Sequence, residues 1–129
     1  MKYTYCFANA SLVLRLVTYL SKQVSIGFIS VTIIYLVDRW IVRIKLQSPL
    51  SAPLRGNFSA FLQEIGYPFT LSDREKNALA ALEEGATVAA VTSRYHIVVV
   101  SHGGLHPEKI EAFRTTFTSS LGYCPPSLV

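Results

Sequence analysis

Charge is scarce in this chain. Only 16% of its 129 residues are Asp, Glu, Lys or Arg, where an ordinary globular domain carries about a quarter. Cysteine is scarcer still. Cys6 and Cys124 stand near opposite ends, which permits one bridge at most, excludes a disulfide-built scaffold and leaves two free, reduced thiols as the expectation. The sequence has no G-x-S-x-G, no phosphate-binding P-loop, no dinucleotide fingerprint and no C-x-x-C, which removes the commonest hydrolase, nucleotide and thiol-redox signatures. No internal repeat is present, so a solenoid is excluded. The length allows one domain, or a membrane segment plus a small one, and rules against a multi-domain enzyme. No cofactor and no small-molecule substrate are expected.

Apolar residues fill the space that charge leaves: they make up half of the chain, and mean hydropathy is +0.35. Gln23–Val37 contains no formal charge, and apolar sequence continues on both sides of it. A bilayer core needs roughly twenty residues of helix. This run reaches that length if Lys22 and Arg39 extend toward the headgroups and Trp40 sits at the interface. Within residues 1–45, Lys2, Arg15, Lys22, Arg39, Arg43 and Lys45 face Asp38 alone, while the remainder holds six bases and seven acids. Cations flanking apolar sequence suit an anionic membrane surface. The alternative is a fully soluble α+β domain with residues 24–37 as buried strands, broken at Gly27. Val24, Ile26, Ile29, Val31, Thr32, Ile33, Ile34 and Val37 are all β-branched, as strands prefer.

Residues 47–56 hold two prolines, two serines and a glycine and are predicted to be a linker between a membrane-anchoring segment, 1–46, and a small α+β domain, 57–122. Asn57 can cap a helix carrying Phe58, Phe61, Leu62 and Ile65 on one face and stopping at Gly66. Ser72-Asp73-Arg74-Glu75 reads as a capping box for a helix ending at Gly85. A last helix opens at Pro107 and buries Ile110, Phe113, Phe117 and Leu121 before Gly122. Tyr95–Ser101 is predicted to be a strand; Thr87–Thr92 is either its hairpin partner or a short helix. Residues 123–129 form an irregular tail. The expected fold is thus α+β: an N-terminal transmembrane helix followed by three helices and one strand or hairpin.

Two segments resemble parts of known families. Leu71, Arg74, Glu75, Leu79, Leu82, Gly85, Thr87, Val91 and Ile97 are spaced similarly to the first two helices of a LuxR-type helix-turn-helix. That resemblance implies a recognition helix next, entering the major groove. The corresponding positions here, Val98–Gly104, contain no Lys or Arg and two glycines. His102-Gly103-Gly104-Leu105-His106 is similar to a metal-ligating segment of the serine/threonine phosphoprotein phosphatases, which implies His102 as a ligand; the other ligand segments of that family are absent. Apart from either resemblance, His96, His102 and His106 are candidates for a mononuclear metal site if the strand brings the first two to one face. A helix cap for His106 and a turn hydrogen bond for His102 explain the same residues.

These observations predict a non-catalytic, membrane-anchored accessory or interaction subunit of a larger assembly: single-pass, with a cytoplasmic C-terminal domain. Its partners would be the lipid bilayer and a membrane protein. The edge of the predicted strand, through Tyr95, Ile97 and Val99, would be open to a partner strand. The alternative is a soluble regulator that binds DNA or protein through the helix-turn-helix-like segment at 71–97. Nucleic acid is not the expected partner on the first reading.

Overall fold

Arg39–Leu46 reads RWIVRIKL, in which Trp40, Val42, Ile44 and Leu46 alternate with Arg39, Ile41, Arg43 and Lys45. That period of two sends the first set to one face of a sheet and the second to the other. In the computed structural model, which describes residues 2–23 and 26–129, this segment is strand β3, the centre of a five-stranded sheet. The chain runs β1 (Lys2–Phe7), α1 (Ala10–Lys22), β2 (Phe28–Leu36), β3 (Arg39–Leu46), α2 (Ala52–Ile65), β4 (Tyr67–Pro68), α3 (Asp73–Glu83), α4 (Val88–Tyr95), β5 (Val98–Gly103) and α5 (Pro107–Leu121), closing in a 3-10 turn at Pro126–Leu128. Strand order is β4-β1-β3-β2-β5, with every neighbouring pair antiparallel. The portion from β1 to β4 has the β-α-β-β-α-β connectivity called split βαβ or ferredoxin-like. The rest adds a fifth strand beside β2, the helices α3 and α4 on one face of the sheet and α5 on the other.

The sheet buries both faces. On the first, Phe7, Ile33, Trp40 and Ile44 pack against α1, α2 and α5 with Leu16, Phe58 and Ile110. On the second, Cys6, Ile34, Ile41 and Val99 pack beneath α3 and α4 with Leu79, Leu82, Val91 and Ile97. Local chemistry accounts for the helix ends. Asn9 accepts from the Leu12 amide and caps α1. Ser72 and Glu75 complete the predicted capping box of α3, and Gly122, at φ 78°, ends α5 in the left-handed conformation that favours glycine. The second helix starts earlier than Asn57 because Pro53 fits a first turn, where a missing amide costs nothing. Gly66 is required by closeness: a Cβ there would lie 2.5 Å from the Cys6 carbonyl oxygen.

The transmembrane helix predicted within 24–37 does not form, and among the described residues no helix is long and apolar enough to cross a membrane. Phe28–Leu36 is a strand whose alternate residues enter different cores, and a strand covered on both faces is apolar throughout. Val24 and Ser25 lie outside the described residues. The single-pass membrane placement, the cytoplasmic side assigned to the C-terminal part and the transmembrane fold class fall with the helix. Trp40, expected at a bilayer interface, is fully buried and donates from Nε1 to the Ser127 carbonyl at 2.7 Å. The buried-strand alternative describes the α+β fold, except that the chain breaks at Val37-Asp38 and not at Gly27. No linker stands apart at 47–56, since Leu50 joins the first core and α2 begins at Ala52. The tail is held down by buried Ser127 and Leu128.

Two-sided burial has a direct test. Ile33→Ala and Ile34→Ala, neighbours on opposite faces, should each cost about 2–5 kcal/mol in urea unfolding. Ile29→Ala, 53% exposed, should stay within about 0.5 kcal/mol of the parent. If either buried variant behaves like Ile29→Ala, the face it lies on is not a core.

Candidate functional site

The helices cover the second face of the sheet unequally. Register places Cys6, Ile41, Ile34 and Val99 in one cross-strand row, which α3 and α4 roof. The next row is Thr4, Arg43, Thr32 and His102, and beyond it come Lys2, Lys45 and Ser30. Strand and residue spacings make these two polar rows a shelf roughly 14 Å across and 7 Å deep. Two open pockets lie along it. One, of about 430 Å³, is lined in part by Lys2, Thr4, Arg43, Phe69, Lys76 and Glu83; the other, of about 240 Å³, by Ile29, Ser30, Lys45, Glu83, His102 and Gly103.

The shelf is electropositive. Lys2, Arg43, Lys45 and Lys76 face one carboxylate, Glu83, which lies 4.0 Å from the Lys2 ammonium and 3.8 Å from that of Lys45. Arg43 Nε is buried and has no hydrogen-bond partner among the described residues, an arrangement that costs free energy. Thr32 is buried, and its Oγ1 lies 2.7 Å from His102 Nδ1. Burial holds the His102 imidazole below its ordinary value of 6.5, and Glu83 opposes that shift in part. Lysine ammonium groups, a forked guanidinium and short hydroxyls are the donors that phosphate oxygens accept from most readily.

The three candidate metal-ligand histidines do not meet. His96 takes a left-handed conformation, φ 56°, and caps the end of α4. His102 stands on the shelf, and His106 precedes α5 with its Nδ1 3.2 Å from Glu108. Among the described residues no group of three or more His, Cys, Asp or Glu is placed to hold a metal ion. Of the residues expected to meet a partner strand, Ile97 and Val99 are buried in the second core and Tyr95 is half-buried against it. The edge of β5 offers its backbone and Val98. The helix-turn-helix-like spacing has a structural origin: Leu71, Leu79, Leu82, Val91 and Ile97 are the side chains that seat α3 and α4 on the sheet. Where a recognition helix would follow, the chain is strand β5, paired with β2.

Other features are less suited to a ligand. Asp38 and Arg39 pair through two hydrogen bonds in the exposed β2–β3 turn, and that contact holds the Asp38 carboxyl below its ordinary range. A larger cavity of about 540 Å³ lies on the opposite side of the sheet, along Ser11, Arg15, Thr18 and Lys22 of α1. Those residues form the outward stripe of the helix; Arg15 is paired with Glu64, and Arg114 beside them with Glu111 and the Val129 carbonyl. Arg43 and Lys45, expected on the flank of a membrane span, stand instead on the polar face of β3. Their alternation with Trp40, Val42 and Ile44 was the available signal. Compared with known proteins, the chain matches no family model, no curated protein and no solved structure.

The depressed His102 pKa sets the sign of a pH effect. Between that value and 6.5 the unfolded chain binds more protons than the folded one, so stability is complete above 6.5 and is lost as pH falls through the folded pKa. Urea midpoints should therefore fall between about pH 7 and about pH 5, and His102→Asn should flatten that part of the profile. Parallel profiles for the two proteins would show that His102 is not the group responsible.

Proposed function

We propose that the protein is a non-catalytic binding protein, a regulator or accessory factor, that holds a phosphate-bearing chain across the polar shelf, with single-stranded nucleic acid as the ligand. The observation that carries this reading is the cross-strand placement of Lys2, Arg43 and Lys45 beside Thr4 and Thr32. The open, shallow shape favours an extended polyanion over an enclosed small molecule, because small-ligand sites bury most of their occupant. The half-buried Phe69 ring, beside Arg43 and Lys76, can take a stacked base while the cations track the backbone.

Recognition through a face also fits what the sheet does with its edges. One edge strand, β4, is two residues long and contains Pro68; the other, β5, is irregular where Ile33 and Ile34 pair with Ser101 and Val99. Short strands, proline and bulges all discourage the addition of a further strand. The regulator alternative drawn from the 71–97 segment is kept in this reading, with its contact surface changed. The ligand meets the strip of sheet beside α3, and no helix enters a groove.

Fluorescence anisotropy with a labelled single-stranded oligonucleotide tests it. If three or four phosphates are neutralised, binding should weaken with salt along a log–log slope of about −2 to −3. Lys45→Met should reduce that slope by about 0.7, whereas Arg55→Met on α2, which packs against the other face, should leave it unchanged. No binding at low salt, or equal losses from Lys45→Met and Arg55→Met, would refute the proposal. Tighter binding of an acidic peptide than of the oligonucleotide would transfer the site to a protein partner.

A further inference from the structure

We infer that Glu83 is an internal competitor for the shelf: its carboxylate occupies the Lys2–Lys45 position of an incoming phosphate and must be displaced for the ligand to seat fully. The inference rests on the phosphate-binding reading above and concerns the same site. Glu83 is the last residue of α3 and lines both pockets, so its side chain lies between them. Its distances of 4.0 Å to Lys2 and 3.8 Å to Lys45 exceed those of charge-assisted hydrogen bonds, about 2.7–2.9 Å. The carboxylate is held by the field of two ammonium groups and is not locked to either. With 23% of the side chain exposed, it has an outlet to water.

The helix supplies no reason for an acid at this position. A carboxylate in the last turn faces the negative end of the helix dipole, and α3 ends on Glu83 and Glu84 with no base in that turn. At its other end the helix uses Asp73 and Glu75 in the favourable sense. The lysines of β1 and β3 are what Glu83 answers to. In the free protein it lowers the charge of the shelf and keeps two cations from lying uncompensated against each other across the strands. A phosphate takes over that role when it binds, and Glu83 turns outward. Affinity is then the difference between two anions competing for the same pair of lysines, and weakly charged ligands are excluded because they cannot win that exchange.

Glu83→Gln keeps the size of the side chain and removes its charge. Oligonucleotide affinity at low salt should rise about two- to tenfold, the range expected from releasing one or two solvated ion pairs. The thermal unfolding midpoint should change little, because such pairs contribute little to folding. In a Lys2→Met/Lys45→Met background the same substitution should have a much smaller effect, since the groups that couple to it are gone. Unchanged or weaker binding by Glu83→Gln, with the parent protein binding normally, would overturn the competitor role and leave the shelf assignment standing. Failure of both the parent and Glu83→Gln to bind would overturn both. Binding by Glu83→Gln alone would support the inference in its strongest form.

Discussion

Two-sided burial of the β2–β3 hairpin is the constraint to which the rest of this structure answers. Val31, Ile33 and Tyr35 face one way and Ile34 faces the other; Trp40, Val42 and Ile44 likewise oppose Ile41. Each such side chain removed from water contributes on the order of 1.5–3 kcal/mol, so neither face can be left open. A single helical layer cannot cover both. The chain places α1, α2 and α5 on one side and α3 and α4 on the other, and it ties its last turn to the hairpin through Trp40 and Tyr35, which hydrogen-bond to Ser127.

The two coverings differ in extent, and the polar shelf is the result. On the first face apolar residues continue along the whole of β3, from Trp40 to Leu46. On the second, only Ile41 among the residues of β3 is apolar, because Arg39, Arg43 and Lys45 share its side of the strand. A roof over Arg43 and Lys45 would strand charges in a low-dielectric interior, where they are costly unless paired. The α3–α4 pair accordingly covers the apolar row and stops. What remains is a strip of sheet with polar side chains, a rigid floor and a helix wall, which holds cations in position more exactly than a loop would.

How much of this was legible depends on the range of the interaction involved. The caps of α3 and the glycine stop of α5 are local, and Ser72, Glu75 and Gly122 announce them in sequence. The hairpin is also local but carries no signal, since Val37-Asp38 has neither the glycine nor the asparagine of the usual two-residue turns. Neither residue has positive φ. Without a visible turn, the strand before it merges with its surroundings into one apolar run, and hydropathy cannot distinguish lipid from a second protein layer. The spacing that resembled a helix-turn-helix was real as a pattern. Its physical content is the seating of two short helices on a sheet, and the strand that follows excludes a third.

The shelf itself could not be read from any one segment. Thr32 meets His102 seventy positions later, and Lys2 meets Glu83 only when α3 has docked on the sheet. Strand β5 and α3 belong to the part added after the split βαβ portion, so the shelf has His102 and Glu83 only while that addition is in place. Local unfolding of the α3–β5 segment would remove His102 and Glu83 from the shelf and expose the row from Cys6 to Val99. A ligand that bound across the shelf as proposed, touching residues of the first portion and of the addition together, would stabilise the docked arrangement in proportion to the logarithm of its concentration over its dissociation constant. On that proposal, binding and the integrity of the second core would be two readings of one equilibrium, joined where Glu83 at the end of α3 meets Lys2 of β1 and Lys45 of β3.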